Sequence, residues 1–248
     1  MKVSIITITY NSAKTVRDTL QSIANQSYKN IEHIVVDGAS KDNTLDIVRE
    51  FPNVKVLSEP DEGIYDAMNK GVAMTTGDIV GILNSDDFYS NNDIIQTVVD
   101  TFIKEKVDSV YGDIVFVNPD DLNKVTRRYS SANWYPEKMA AGYMPAHPSF
   151  FVKRIHYEKI GNFKVDYAIS ADYELLIRFL YVNRISYHYI NEALVTMRTG
   201  GASNQSLKSV YVLNKEVIRA CRENGIKMNY TKLGFKYFNK LLEFVNPK

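Results

Sequence analysis

The sequence predicts an α/β fold with a mostly parallel, Rossmann-like sheet that is covered by helices on both faces. Short β-branched apolar stretches alternate with stretches of helical spacing through residue 83. The predicted strands are too apolar to leave one face of the sheet in water, which is typical of parallel sheets. From Asp108 onward the alternation ends and a hairpin follows, so we expect the sheet to become mixed.

The first half of the chain reads as repeated strand-then-helix units. Val3 to Thr9 is the first predicted strand, and the spacing of Val16, Leu20 and Ile23 predicts the helix that follows it. The later strands are predicted at residues 31–37, 54–57 and 78–83, and the later helices at about 44–51 and 64–74. In such a sheet, ligands bind beyond the carboxyl ends of the strands.

The second half has a different pattern. Ser109 to Val117 and Val125 to Tyr129 flank a predicted turn at residues 118–121 and form the expected hairpin. Residues 133–148 contain three prolines and the only tryptophan, and we expect a loop that lies across a site. The remaining predictions are a helix at about 171–181, a strand region to residue 197, a Gly/Ser/Asn-rich segment at 198–205 and two closing helices.

Composition limits the classes of function that need to be considered. The 248 residues carry a formal charge of +1, so there is no overall attraction to nucleic acid. Cys221 is the only cysteine, which excludes an intrachain disulfide and a multi-cysteine zinc site, and we expect it to be a small helix residue. We predict no signal peptide and no membrane span, and therefore a cytoplasmic protein bound at most peripherally to the inner face of a membrane.

Polar residues end three of the predicted strands, at positions where apolar strands do not need them. They are Thr9 and Tyr10, then Asp37, and then the run from Asn84 to Asp87. The alternative for each of these residues is a purely structural role, as a helix cap or a turn residue. The adjacent carboxylates of Asp86 and Asp87 repel each other, however, and such a pair usually holds a cation. A divalent ion at this edge would neutralise a diphosphate leaving group.

Four stretches of the sequence resemble the family 2 inverting glycosyltransferases, in order and in spacing. They are VSIITITYN at residues 3–11, IVVDGASKDNT at 34–44, SEPDEGIYDAMNKG at 58–71 and GDIVGILNSDD at 77–87. The third is similar to a subgroup from bacterial polysaccharide clusters that includes enzymes of the colanic acid type. The resemblance implies a GT-A fold over residues 1–205, with a nucleotide-sugar-binding half at 1–107 and an acceptor-binding half at 108–205. Residues 206–248 would form a helical extension.

The resemblance also implies roles for the strand-end residues. Thr9 and Tyr10 would line the base and ribose pocket, and Asp37 would hydrogen-bond the base or the ribose. Asn84 stands where the family usually has the first carboxylate of an Asp-x-Asp motif, and it can still hydrogen-bond a ribose hydroxyl.

The metal site implied by the resemblance consists of two adjacent carboxylates. Asp86, together with Asp87, would hold a divalent metal, Mn or Mg, on the donor diphosphate. Asn84 contributes no charge to this site. The replacement of the usual carboxylate by Asn84 therefore affects how tightly the metal would bind.

Inverting transfer requires a base that removes the proton from the attacking hydroxyl, and Asp172 is the candidate. It lies in a stretch that resembles the acidic base motif of the family, with Ala171 where many members have Glu. The alternative is that Ser170 or Asp172 only caps the following helix, with Glu174 in its first turn.

Two further residues are candidates for substrate binding. His147 stands where related sequences often carry a polar residue near the acceptor or the metal, and its alternative is a loop histidine bonded to backbone. Arg198 precedes a flexible segment and is a candidate for pairing with phosphate oxygens, with a solvated loop charge as the alternative. Lys70 is expected to be a surface lysine.

The expected activity is therefore sugar transfer from a nucleotide-sugar, with a UDP-sugar favoured, to a saccharide or a lipid-linked saccharide in cell-surface polysaccharide synthesis. The alternatives are a nucleotidyltransferase, which would normally need a Gly-rich basic loop where Tyr10 to Lys14 stand, and a non-catalytic sugar-nucleotide-binding subunit. No Gly-x-Gly-x-x-Gly follows the first strand, which argues against a dinucleotide oxidoreductase.

The last predicted helix, at residues 231–245, carries lysines on one face and apolar side chains on another. Lys232, Lys236 and Lys240 recur every fourth residue, which suits a membrane interface with anionic head groups. The alternative is a helix that packs its apolar face on the domain or on a second copy of the chain, as in a homodimer.

Overall fold

A computed structural model describes residues 1–199, 207–228 and 231. The strands of this part of the chain are β1 Val3–Thr9, β2 Ile31–Asp37, β3 Val54–Ser58, β4 Ile79–Ile82, β5 Phe88–Tyr89, β6 Ser109–Asn118, β7 Asp121–Tyr129, β8 Phe151–Lys153 and β9 Tyr187–Arg198. The α-helices are α1 Val16–Ala24, α2 Thr44–Arg49, α3 Ile64–Met74, α4 Ile94–Glu105, α5 Ile155–Ile160, α6 Ala171–Leu176 and α7 Leu207–Glu223.

The strands form one mixed sheet in the order β3-β2-β1-β4-β8-β6-β9-β5, with β7 paired to β6 outside this path. Strands β1 to β4 are parallel to one another, and β8 runs antiparallel to both β4 and β6. The chain leaves β1 toward β2 on one side and returns to β4 on the other, which creates a switch point above β1. The predicted fold class is confirmed, including the change from a parallel to a mixed sheet.

Burial of the central strands explains their apolar composition. Every residue of β1 and β4 is buried, because helices cover both faces of this part of the sheet. Helix α3 lies so close to β1 that a Cβ atom on Gly71 would be 2.4 Å from Cγ2 of Ile6. A glycine at this position therefore permits the close approach of helix and sheet.

The second half differs in detail from the prediction. The hairpin turn contains only Pro119 and Asp120, since Asn118 pairs directly with Asp121 and the second strand begins earlier than predicted. The side chain of Asn118 accepts the N–H of Asp120 at 2.9 Å, which stabilises this tight turn. The helix predicted at 171–181 is α6 followed by a π-helical turn, Ile177–Val182.

Helix α7 packs into the same apolar core as the sheet. Val217, Ala220 and Cys221 are buried there, and Cys221 is the small helix residue that the sequence predicted. None of the helices in the described ranges is long and apolar enough to cross a membrane. The segment at 200–206 and the predicted membrane-surface or dimer helix at 231–245 lie outside the described residues, apart from Thr231.

Candidate active site

The ends of the first strands meet at one edge of the sheet, as predicted. Thr9 pairs in register with Asp37, and the N–H of Ser85 donates to the carbonyl of Ile8 at 3.3 Å. Ser85 and Ser12 are also joined by a 2.9 Å hydrogen bond between their hydroxyls. This edge therefore collects polar groups from β1, β2 and the segment after β4.

Asp37 is completely buried below this edge. Its carboxylate accepts the N–H of Ser40 at 3.0 Å, the hydroxyl of Ser40 and the hydroxyl of Ser58 at 2.7 Å. A ligand would reach this carboxylate only after Ser40 or Ser58 moved. In this conformation, Asp37 fixes the loop that follows β2.

Tyr10 is the exposed member of the edge, with 60% of its surface accessible. Its ring lies beside Gly38, where an added Cβ would be 3.4 Å from Cδ2 of Tyr10 and 2.4 Å from Oδ2 of Asp61. Asp61 therefore lies next to Tyr10 across Gly38. Its only clue in the sequence is that it falls in the motif at residues 58–71.

Within the part of the chain that the structure describes, several buried oxygens at the acidic run after β4 have no hydrogen-bond partner. They are Oδ1 of Asn84 and both carboxylate oxygens of Asp87, and Oγ1 of Thr9 is in the same state. Burial raises the pKa of Asp87 well above its ordinary value, and the neighbouring charge of Asp86 raises it further. The charge of Arg198 and the nearby side chain of Asn84 lower this pKa.

Asp87 does not cap the helix that follows, although the sequence left this alternative open. Helix α4 begins after Asp93, and no side chain caps its first turn. The backbone of Asp87 is held from the other side, because the hydroxyl of Thr19 donates to its carbonyl at 2.6 Å. A buried carboxylate that caps no helix is costly unless a neighbouring group balances its charge.

Arg198, at the end of β9, is fixed against the acidic run. Its guanidinium donates to the carbonyl of Asp86, pairs with Asp18 and lies 5.3 Å from the ring centroid of Phe88. The side chain is 9% exposed, so it is not a solvated loop charge. Arg198 thus brings a positive charge to the acidic run, and this charge lowers the pKa of Asp87.

The donor set of this cluster fits a divalent cation such as Mg²⁺ or Mn²⁺. Asn84, Asp86 and Asp87 offer amide and carboxylate oxygens, which these hard ions prefer. Among the described residues no three His, Cys, Asp or Glu side chains converge to form a complete metal cage. Mg²⁺ is commonly held by only one or two carboxylates together with substrate phosphates, so two carboxylates suffice.

A second cluster surrounds Asp172 in the first turn of α6. The hydroxyl of Tyr65 donates to the carbonyl of Ile169 and lies within hydrogen-bonding reach of the Asp172 carboxylate. Burial raises the pKa of Asp172, while the charge of His147 and the Tyr65 hydroxyl lower it. The structure thus brings Asp172 and His147 together and adds Tyr65.

The sequence left open that Ser170 caps α6. In the structure, the side chain of Ser170 makes no cap bond. Among the described residues, Oδ1 of Asp172 accepts only the N–H of the next residue, Tyr173, at 2.8 Å. Glu174 is fully buried between Arg178 and Lys164, at 2.8 and 2.9 Å, so it is held by ion pairs. These contacts leave Asp172 as the acidic group available at the start of α6.

His147 lies at the start of a short 3₁₀ helix, His147–Ser149, within the predicted loop at 133–148. Burial lowers the pKa of its imidazole, and the negative charge of Asp172 opposes this effect. The loop packs on α6, since the Tyr173 hydroxyl donates to the carbonyl of Met139. Lys70, by contrast, joins α3 to the preceding loop through Pro60 and Glu59, and it pairs with Asp66 within the helix.

Comparisons with known proteins identify the family of the chain. Residues 4–162 match the model of the family described as Glycosyl transferase family 2. The chain is 31% identical over 209 residues to the PGL/p-HBAD biosynthesis glycosyltransferase of Mycobacterium bovis, covering 81% of this chain and 78% of that protein.

Two solved structures share the fold. Residues 1–349 of TarS from S. aureus, in complex with UDP-GlcNAc, match 89% of this chain with a TM-score of 0.70 and 20% identity, and the chain spans 66% of that fragment. The mannosyltransferase PcManGT from Pyrobaculum calidifontis, in complex with GDP-Man and Mn²⁺, matches 99% of this chain and 81% of its own length, with a TM-score of 0.64 and 18% identity. These likenesses show the GT-A fold.

Three findings agree on the family of this chain. They are the motifs at the strand ends, the fold, and the family match over residues 4–162. The chain is a glycosyltransferase and belongs to glycosyl transferase family 2.

Proposed function

We propose that the protein transfers a sugar from a nucleoside-diphosphate sugar to an acceptor hydroxyl with inversion at the anomeric carbon. The observation that carries the proposal is the Asp172 cluster. An acidic side chain with a raised pKa lies at a helix start, and its carboxylate accepts the N–H of the adjacent Tyr173. A carboxylate in this state suits removal of a proton from a hydroxyl.

In the proposed reaction, the oxygen of the acceptor hydroxyl attacks the anomeric carbon. A carboxylate oxygen of Asp172 takes the proton of that hydroxyl at the same time. The new glycosidic bond forms on the face opposite the bond to phosphate. The bond between the anomeric carbon and the phosphate oxygen breaks, and its electron pair leaves with the nucleoside diphosphate. One displacement of this kind inverts the configuration.

We place the donor diphosphate at Asn84, Asp86 and Asp87, which would hold a divalent cation; the cation would supply positive charge next to the leaving group. The buried, unpartnered oxygens of this cluster support the assignment. The Mn²⁺ complex of PcManGT makes such an ion plausible for the fold. In our proposal, Arg198 stabilises the cluster by holding the carbonyl of Asp86.

We place the donor base against Tyr10 and Asp61. The exposed ring of Tyr10 offers a stacking surface, and the Asp61 carboxylate can accept an N–H from a base. The sequence favours a UDP-sugar. The two solved complexes contain UDP-GlcNAc and GDP-Man, so we expect a comparison of UDP with GDP to decide the base.

Gly38→Ala is expected to weaken nucleotide binding about tenfold, roughly the loss of one hydrogen bond to a charged group. The new Cβ would lie 2.4 Å from Oδ2 of Asp61 and would displace that carboxylate, whereas the fold would be kept because only a side-chain end must move. Calorimetric titration with UDP measures the change. If the assignment holds, Gly38→Ala adds little in an Asp61→Ala background, and full additivity would contradict it.

We place the acceptor in a cavity of about 350 Å³ next to Tyr65, which is lined by Glu62, Asp66, Val165, Asp166, Ala168 and Glu216 among others. Tyr65 lies between this cavity and Asp172, and the exposed carboxylate of Glu62 is a suitable partner for sugar hydroxyls. A saccharide or lipid-linked saccharide acceptor in cell-surface polysaccharide synthesis is consistent with the name of the M. bovis relative.

The proposed function is tested by incubating purified protein with a panel of nucleotide-sugars and Mn²⁺ and measuring release of nucleoside diphosphate. Slow release to water is expected even without the acceptor. Binding without release would indicate a non-catalytic subunit. Formation of a nucleotide-sugar and pyrophosphate from a sugar 1-phosphate would indicate a nucleotidyltransferase. Once an acceptor is found, the anomeric configuration of the product by NMR tests inversion.

A further inference from the structure

The loop directly before the candidate base is held by a carboxylate from α7. Glu216 accepts three consecutive backbone N–H groups, those of Ala168 at 2.6 Å, Ile169 at 2.9 Å and Ser170 at 2.8 Å. Glu216 is 9% exposed, and no ion pair to it is formed within the described part of the chain. The three N–H donors stabilise the negative charge of this carboxylate.

These three bonds fix the same backbone that orients the Asp172 cluster. The carbonyl of Ile169, one of the three held residues, accepts the Tyr65 hydroxyl, and Tyr65 also lies within hydrogen-bonding reach of Asp172. Ser170 is the residue before the first turn of α6 and has no cap bond of its own. A shift of the loop would thus displace both Asp172 and its tyrosine partner.

Helix α7, which carries Glu216, is held in place by core contacts and ion pairs. Val217, Ala220 and Cys221 anchor it in the core. Further along, Arg219 pairs with Asp166, and Glu223 contacts Lys164 at 2.9 Å. Helix α7 thus contacts the chain before Asp172 at several residues. Of these contacts, the ones made by Glu216 hold the backbone next to α6.

We propose that Glu216 is a positioning residue for the catalytic base: it holds residues 168–170 so that Asp172 and Tyr65 keep the geometry needed for proton removal. The inference rests on the proposed role of Asp172. It assigns a function in catalysis to α7, which the sequence placed in a C-terminal extension. Since a displacement of about 1 Å at a reacting group can cost up to 100-fold in rate, the effect is large enough to measure.

Glu216→Gln is expected to lower kcat for transfer roughly 10- to 100-fold with an unchanged KM for the donor. Glutamine offers one acceptor oxygen, and its NH₂ group would face backbone N–H groups. Glu223→Gln is the matched control, because it is on the same helix and contacts side chains only. It is expected to alter thermal stability but not kcat. An unchanged kcat in Glu216→Gln would overturn the proposal.

The decisive measurement is a double-mutant cycle between Glu216→Gln and Asp172→Asn. If Glu216 acts through Asp172, its substitution has little further effect once the base is absent. An equal fold-decrease in both backgrounds would show a merely structural role and overturn the inference. Normal activity of Asp172→Asn alone would instead refute the proposed base. Should Glu216→Gln not fold, the cycle is run with Glu216→Asp, which keeps the charge but shortens the reach.

Discussion

Replacing Asp172 with asparagine is expected to lower kcat for sugar transfer by roughly two to four orders of magnitude, with donor binding close to the wild-type level. Asparagine keeps the shape of the side chain and its ability to bond the local backbone, but it cannot accept the proton of the acceptor hydroxyl. Steady-state kinetics and calorimetric titration with UDP separate the two effects. Near-normal turnover would leave Asp172 with a structural role only.

The pH dependence of the wild-type enzyme provides a further check on Asp172. Burial raises the pKa of this carboxyl, so the base becomes protonated at a higher pH than an exposed aspartate would. We expect kcat/KM to fall as the pH drops through this raised pKa. The same acid limb should be absent from the residual activity of Asp172→Asn.

Loss of the Asp86 carboxylate is expected to remove the effect of Mn²⁺ on UDP binding and to lower kcat by about 100- to 1000-fold, in line with several kcal/mol of charge stabilisation from a bound metal. Asp86→Ala would be titrated with UDP with and without Mn²⁺, next to wild type. Asp93→Ala is the matched control, because Asp93 is an exposed aspartate that makes no side-chain cap bond at the start of α4.

The control is expected to respond to Mn²⁺ as the wild type does. An equal response of Asp86→Ala and wild type to the metal would show that Asp86 is not a metal ligand. If UDP binding is insensitive to Mn²⁺ and Mg²⁺ in every variant, the cation site itself is refuted, while the role of Asp172 is unaffected.

Asp172→Asn is also expected to stabilise the protein at neutral pH. The folded-state pKa of Asp172 is raised, so ionising this group above that pKa costs free energy of folding, and the cost disappears as the pH falls below the unfolded-state pKa. Thermal unfolding of variant and wild type should therefore differ at pH 7 and converge near pH 3. A difference that is independent of pH would contradict this explanation.

Local patterns predicted the strands and helices well because each depends on residues that are close in sequence. The alternation of β1 to β4 with helices is periodic, and the polar strand ends lie within contiguous motifs. Short elements such as β5 and β8 lack this periodicity, and their pairing with β9 and β4 depends on distant strands. The similarity to colanic acid enzymes rests on one motif and stays a prediction.

By itself, the sequence determined the fold class and the family, and it predicted the edge of the sheet at which we place the chemistry. Only the tertiary structure decided what surrounds the proposed base. Tyr65 lies more than 100 residues before Asp172, and Glu216 reaches the loop before it from a helix beyond residue 206. It also decided that Asp37 is saturated by Ser40 and Ser58. Such contacts depend on how separate elements pack, and no local spacing of residues encodes that packing.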